Sequence, residues 1–148
     1  MRCALATAAF GLVTMAASGA RPAEPDLNLQ ELPTQKLASG QCALVLWTRT
    51  APARRVFMAV SEPAGAKVQS GGRTVDLARS GASGEAVYGH FPEETFAGGG
   101  WEVKATVGFD TKGALVGGAL VPSGSLEVRD ARGWTTVLPV AGMVACQG

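Results

Sequence analysis

Two cysteines bracket the part of this chain that carries β-strand patterns. Cys42 lies in the first strand-like run and Cys146 in the last, so a bond between them would hold the first strand of a sheet beside its last strand. Such an arrangement closes the sheet and hides its unpaired edges. The two cysteines can bond only if the chain folds in an oxidising compartment, and the N-terminal sequence indicates that it does.

The first segment, residues 1–20, has the pattern of a secretory signal peptide. Met1-Arg2 precedes an almost charge-free apolar run over residues 3–17, and small residues follow at 18–20. The run is shorter than the roughly 20 apolar residues that span a bilayer, so a retained membrane anchor is the weaker alternative. We therefore predict cleavage after Ala20, a periplasmic or secreted location in a bacterium, and no stable membrane insertion of the mature chain.

Cleavage would remove Cys3 and leave one pair of cysteines. Two cysteines in an exported protein favour a disulfide, which we predict between Cys42 and Cys146. On the chain-entropy model, a closed loop of about 100 residues contributes on the order of 4–5 kcal/mol. A zinc site is the alternative, but the chain lacks the paired Cys and His spacing that zinc requires.

Short segments with strand patterns follow one another from residue 42 to the end of the chain. They are 42–48, 55–60, 66–70, 73–77, 101–109, 114–121, 125–129, 134–138 and 143–146, with a weaker one at 86–88. The clearest alternates strictly, with Trp101, Val103, Val107 and Phe109 on one face, and no stretch has helical periodicity over three turns. About eight short strands predict an all-β fold, a small antiparallel β-barrel closed by one disulfide, with a β-sandwich as the alternative.

The mature chain divides into an arm and a domain. Residues 21–39 are rich in proline and polar residues and predict a flexible N-terminal arm, although the leucines at 27, 29 and 32 could dock on the body. Residues 40–148 predict the barrel or sandwich domain, and Trp47, Trp101 and Trp134 are expected in its core. Because basic and acidic residues are nearly balanced, at 13 and 12, we expect no nucleic-acid partner.

The residues that could carry catalysis are few. His90 is the only histidine, and the chain has no G-x-S-x-G motif, so we predict no catalytic, cofactor-binding or metal site. A metal site formed by His90, Glu93 and Glu94 is opposed by Pro92, which disfavours the helix that would align them. A basic cluster at Arg49, Arg54 and Arg55 could hold an anion, and a solvated turn is the simpler interpretation.

The region from 79 to 100 is the candidate partner-binding loop. It has weak strand patterns, is rich in Gly, Ser and Glu, and contains the only Tyr and the only His of the chain. Loop side chains on a rigid sheet are free to bind partners, so Ser83, Tyr88 and His90 are the candidate contact residues. A passive connector is the alternative.

Two resemblances bear on the function. Leu37-x-x-Gly40-x-Cys42-x-Leu-x-Leu-Trp47-Thr-Arg49, together with the segment 140–147, resembles small exported bacterial β-domain proteins of unassigned function. Separately, the Gly71-Gly72 hairpin followed by Ser80-Gly-Ala-Ser-Gly-Glu-Ala-Val-Tyr88 is similar to the periplasmic C-type lysozyme inhibitors.

The inhibitor resemblance implies a specific fold and site. It implies a small antiparallel barrel with a cysteine in the first strand and another at its end, and a loop that enters the lysozyme cleft. Ser83 and Tyr88 would be the serine and tyrosine of that loop, and Lys104 is the nearest candidate for a basic partner in the following strand.

The sequence thus predicts an exported, non-enzymatic β-domain with a binding or structural role in the cell envelope. Its partner would be an envelope protein or ligand that the sequence does not identify, and no cofactor is implied. A periplasmic lysozyme-type enzyme inhibitor is the sharper alternative. A small hydrolase that uses His90 is the alternative from another functional class.

Overall fold

Eight strands form a closed antiparallel barrel in which each strand pairs with its neighbours in the sequence and β8 pairs with β1. The computed structural model describes residues 29–113 and 115–148; the predicted signal peptide and residues 21–28 of the predicted arm lie outside the described residues. The strands are β1 (Cys42–Thr48), β2 (Arg55–Val60), β3 (Gly65–Ser70), β4 (Arg73–Ser83), β5 (Glu93–Gly98), β6 (Trp101–Asp110), β7 (Gly118–Arg129) and β8 (Thr135–Cys146). The predicted small all-β barrel is confirmed, and the sandwich alternative is not what the chain forms. No helix in the described ranges is long and apolar enough to cross a membrane.

The barrel closes along the full length of β1. Cys42 and Cys146 lie directly opposite each other in the β1–β8 ladder and form the predicted disulfide, which joins residues 104 positions apart in the sequence. The ladder continues to the pair Thr48 and Val140, so every residue of β1 has a partner in β8. The prediction that the disulfide holds the first strand beside the last is confirmed.

Alternating side chains fill the barrel. In β6 the residues Val103, Ala105 and Val107 are buried, whereas Glu102 and Lys104 face solvent, as the period of two requires. The largest aromatic contact inside the barrel is between two rings 5.5 Å apart in an edge-to-face arrangement. These rings belong to Phe57 of β2 and Phe96 of β5.

Several strand assignments differ from the sequence prediction. The segment 86–88 is a loop, while β4 extends to Ser83 and β5 covers the sequence Glu-Glu-Thr-Phe-Ala-Gly. The strand β5 has a weak pattern because one of its inward positions is the charged residue Glu94. Two predicted pairs of short strands also merge, into β7 and β8, with an irregular register between Val121 and Gly124.

The tryptophans do not share one environment. Trp101 packs partly buried against the core, and Trp47 is half-buried on the outer side of β1. Trp134 is 54% exposed at the turn between β7 and β8, so the prediction that it belongs to the core is wrong. It precedes the first residue of β8 and lies beyond the part of the strand that faces the interior.

The second half of the predicted arm fills a gap in the barrel wall. Strands β2 and β3 pair only near their shared turn, through Met58, Ala59 and Val60 of β2. Beyond that point, the N–H of Gln30 donates to the carbonyl of Gln69 in β3, at 2.9 Å, and the N–H of Leu32 donates to the carbonyl of Arg55 in β2, at 2.7 Å. The Arg55 guanidinium in turn donates to the carbonyl of Leu32. The arm therefore takes the place of the missing ladder.

The same segment buries its leucines on both sides of the wall. Leu29 belongs to the main core inside the barrel. Leu32 is fully buried in a second cluster outside it, with Ala43 and Met58, against which Leu37 and Val45 also pack. Residues 29–32 are therefore docked, as the leucine pattern allowed, whereas most residues from 33 to 39 are exposed. The contact also explains why β1 is apolar on both faces.

The strand directions define two ends of the barrel. Because successive strands run in opposite directions, the disulfide shares one end with the β2–β3 turn (61–64), the β4–β5 loop (84–92) and the β6–β7 loop (111–117). We call this the disulfide end. The four remaining connections lie at the opposite end, which we call the turn end.

The docked arm leads to a stability prediction. Leu32→Ala removes a fully buried side chain and leaves a cavity, and we expect it to lower the free energy of unfolding by about 2–5 kcal/mol. The measurement is urea denaturation followed by tryptophan fluorescence. Glu31→Ala is the control, because that neighbouring side chain is exposed and its loss should change stability by less than about 0.5 kcal/mol. Equal midpoints for the two variants would contradict the docking.

Candidate functional site

The β4–β5 loop folds back onto three other parts of the disulfide end. Gly89 lies so close to the β2–β3 turn that a Cβ built on it would be 2.7 Å from the Cβ of Ser61. The ring of His90 reaches the carbonyl oxygen of Cys42 in β1. The carbonyl of Pro92 accepts a hydrogen bond of 2.8 Å from the N–H of Val107 in β6. These contacts fix the loop against the barrel.

A tight turn forms the tip of this loop. Val87 and His90 exchange two backbone hydrogen bonds, of 2.7 and 3.0 Å, around the central residues Tyr88 and Gly89. Both central residues have positive φ, 50° and 80°, as in a type I′ turn. Tyr88 is the only residue other than glycine with positive φ in the described part of the chain, and its side chain is 44% exposed.

The side chain of His90 points into the barrel and has no exposed surface. Its Nδ1 lies 3.2 Å from Oε2 of Glu94, and its Nε2 lies 3.3 Å from the carbonyl oxygen of Cys42. Both facing atoms are acceptor oxygens of the protein, so each ring nitrogen is occupied by a contact within the chain. The sequence grouped His90 with Ser83 and Tyr88 as contact residues; the structure instead turns its ring inward, beneath the turn.

Arg79 completes the support of the turn. Its Nη1 donates to Oε1 of Glu94 at 3.0 Å and to the carbonyl of Gly89 at 3.3 Å, and its guanidinium lies 5.3 Å from the centre of the Phe91 ring. Glu94 is 1% exposed, and its two carboxylate oxygens face the Arg79 guanidinium and the His90 ring. We call Arg79, His90 and Glu94 the buried network.

The two adjacent glutamates of β5 have opposite roles. Glu94 faces the interior, whereas Glu93 faces solvent and pairs with Lys104 at 3.1 Å. Successive residues of a strand point to opposite faces, so His90, Glu93 and Glu94 cannot converge on one ion. Within the described residues, no three His, Cys, Asp or Glu side chains are grouped as in a metal site.

The three residues that the inhibitor resemblance identifies lie in β4, in the β4–β5 loop and in β6. Ser83 is exposed at the last position of β4, and Tyr88 is exposed at the tip of the loop that follows it. Lys104 lies in β6, where its ammonium group is engaged with Glu93. The structure therefore places Ser83 and Tyr88 on one exposed connection and leaves Lys104 in a surface ion pair.

Sequence reasoning missed Arg79 and considered Glu94 only as a possible metal ligand beside His90 and Glu93. Neither stands in a motif, and Glu94 occupies an inward strand position where an apolar residue is expected. The only available signal was the i, i+4 spacing of His90 and Glu94, which has no meaning in a region without helical periodicity.

The comparisons with known proteins add no relative to this description. No family model, no curated protein and no solved structure matches the chain.

The buried network leads to a prediction with an internal control. Glu94→Gln removes the charge that both Arg79 and His90 face, and we expect it to lower the free energy of unfolding by about 3–5 kcal/mol, the usual cost of breaking a buried ion pair. Glu93→Gln makes the same chemical change one residue away in a solvated pair and should cost less than about 1 kcal/mol. Chemical denaturation measures both. A similar cost for the two variants would contradict the assigned role of Glu94.

The conformation of Tyr88 leads to a second prediction. A left-handed backbone costs an L-residue with a Cβ roughly 1–2 kcal/mol, and asparagine tolerates it better than tyrosine. We therefore expect Tyr88→Asn to leave stability unchanged or to raise it by up to about 1 kcal/mol. Tyr88→Phe, which keeps the same backbone cost, should match the wild type. The measurement is the denaturation midpoint, and a clear loss of stability in Tyr88→Asn would show that the ring is needed for folding.

Proposed function

We propose that this chain is an exported, non-enzymatic binding domain that presents the Tyr88 turn to a partner protein in the cell envelope. The barrel is the rigid support, the buried network fixes the turn, and the tyrosine ring is the contact group. Tyrosine suits this role because it offers a large amphipathic surface and loses little conformational entropy when it is held.

The observation that carries the proposal is the position of Tyr88. The first central residue of a type I′ turn favours Asn, Asp or Gly, so a tyrosine there opposes the local backbone preference. Its ring is not required to fill the core, since it is 44% exposed. A residue that is both strained and exposed is the kind found at ligand contacts, where the cost is offset by binding.

The geometry favours binding over catalysis at this site. A general base must reach the proton that it removes, either directly or through one water. The ring of His90 has no exposed surface, and both of its nitrogens face protein oxygens. This environment suits a structural histidine and argues against a hydrolase that uses His90.

Inhibition of a C-type lysozyme is the most specific form of the proposal. It is supported by the resemblance of the hairpin and loop, and by the exposure of both Ser83 and Tyr88 on one connection. A turn with a projecting tyrosine, held rigidly from beneath, has a shape that could enter a cleft and lose little entropy on binding.

The test is a lysozyme activity assay with purified protein and matched variants. We expect the wild type to inhibit at micromolar concentration, and Tyr88→Ala combined with Ser83→Ala to weaken inhibition by more than about tenfold, as for an aromatic residue central to an interface. Trp134→Ala is the control, because it removes an exposed aromatic residue from the turn end. It should inhibit like the wild type.

A second measurement separates the general proposal from the lysozyme form. Wild-type protein and the Tyr88→Ala variant are used as baits in a periplasmic extract, and the captured proteins are compared by mass spectrometry. A protein retained only by the wild type supports binding through the turn. Lysozyme activity that is unchanged at micromolar excess removes the lysozyme form, and identical capture by both baits would contradict the role of Tyr88.

A further inference from the structure

The turn end of the barrel concentrates arginine. Four connections meet there, and the arginines on or beside them are Arg49, Arg54, Arg55, Arg73, Arg129 and Arg132. The acidic side chains in the same place are Glu31, Glu102, Glu127 and Asp130. Of these, Glu102 is paired with Arg129 and Asp130 with Arg132. The near-zero net charge of the chain therefore conceals an uneven distribution.

Three of these arginines are exposed and face no carboxylate. Within the described ranges, Arg49, Arg54 and Arg73 have no acidic partner within 4.0 Å, the limit for an ion pair. The Arg55 guanidinium is used inside the wall, where it donates to the carbonyl of Leu32. Glu31 and Glu127 are acidic residues of the turn end that have no ion pair within the described structure.

The disulfide end has the opposite tendency. Glu62 lies in the β2–β3 turn, Glu85 in the β4–β5 loop and Asp110 at the end of β6, and none of them has a basic partner within ion-pair distance in the described structure. Lys112 is the basic residue of the loop that follows. The Tyr88 turn is at this end, so the cationic surface points away from it.

Two apolar side chains are exposed on the β7–β8 hairpin, which also carries Arg129 and Arg132. Trp134 is 54% exposed at the β7–β8 turn, and Val137, three residues along β8, is 58% exposed. Gly100 of the neighbouring β5–β6 turn is packed against this hairpin, since a Cβ on it would be 2.8 Å from the Cβ of Ala131. The two turns are therefore in contact.

The turn that carries Trp134 is rigid. Burial opposes ionisation of Asp130, but hydrogen bonds from the Arg132 side chain and from the backbone N–H groups of Trp134 and Arg132 lower the pKa of Asp130 below its ordinary value. An ionised Asp130 therefore holds the turn by accepting these bonds. The backbone of Trp134 is held by one of these bonds, and its side chain is exposed to solvent.

We propose that the turn end binds peripherally to an anionic lipid surface. Exposed arginines supply attraction to the headgroups, and a projecting tryptophan with a neighbouring aliphatic side chain suits the boundary between headgroups and acyl chains. A soluble phosphate or a flexible polyanion would contact only the arginines. Its binding would not explain why Trp134 and Val137 are exposed. The inference is independent of the proposed function, because it concerns the opposite end of the barrel.

Such binding has a consequence for orientation. A barrel that rests on its turn end holds the disulfide end, and with it the Tyr88 turn, away from the lipid. The binding turn would then face a partner in the surrounding compartment, while the protein remains at the surface without inserting a segment into the bilayer.

The test is sedimentation of the purified protein with vesicles, after its N-terminus has been verified by mass spectrometry. We expect binding to vesicles that contain phosphatidylglycerol, none to vesicles of phosphatidylcholine alone, and loss of binding at about 1 M NaCl, where the Debye length falls to about 3 Å. Tryptophan emission should shift to shorter wavelength on the anionic vesicles. Trp134→Phe should abolish that shift.

Paired charge reversals locate the surface. Arg49→Glu with Arg54→Glu should weaken vesicle binding about tenfold or more. Lys36→Glu with Lys112→Glu changes the net charge equally at sites away from the turn end and should bind within about twofold of the wild type. Equal loss in both double variants would overturn the proposal, since it would indicate binding through overall charge. Binding to heparin without binding to anionic vesicles would also overturn it, in favour of a soluble polyanion.

Discussion

The pairing of the first strand with the last is the constraint on which the rest of this structure depends. It brings Cys42 opposite Cys146 and leaves β1 with a partner on each side. Closure also brings the start of β1 to the end of the barrel where the β4–β5 loop folds. The carbonyl of Cys42, which accepts hydrogen bonds from Ser61 and faces the ring of His90, is available to that loop only because β1 is held there.

The barrel wall is not complete with eight strands. Strands β2 and β3 separate away from their turn, and the docked arm supplies the missing backbone partners through Gln30 and Leu32. Unpaired backbone groups in a partly buried wall are costly, so the segment before β1 is part of the fold. A short extended segment before β1 therefore covers the edges that β2 and β3 would otherwise leave unpaired.

At the candidate binding turn, a few residues beneath the loop support one exposed tyrosine. Arg79 and Glu94 form a charged pair whose remaining contacts, to Gly89 and His90, all point at the turn. Buried ionic groups are weak contributors to stability but specify one arrangement when every partner is satisfied. This accounts for a loop that holds a tyrosine in an unfavourable backbone conformation while the ring remains exposed.

Local patterns in the sequence determined the all-β class, the strand β6, the hairpin at Gly71-Gly72 and, through the cysteine positions, the link between the first and last strands. These features depend on alternation, turn chemistry and compartment, which are properties of short segments. The sequence also placed Tyr88 in a region of weak strand pattern, although in the structure Ser83 ends β4 and only residues 84–92 form the loop. It failed at β5, where an inward Glu94 broke the alternation, and at Trp134, which lies beyond the strand's buried face.

Only the tertiary structure decided the remaining features: the place at which residues 29–32 dock, the inward direction of the His90 ring and the separation of charge between the two ends. Each of these depends on which distant segment lies opposite a residue. These features are relations between positions far apart in the chain. They are the gap between β2 and β3, the carbonyl of β1 beneath the β4–β5 loop, and the four turns that meet at one end. Alternation and composition do not predict such relations, because they are properties of each segment by itself.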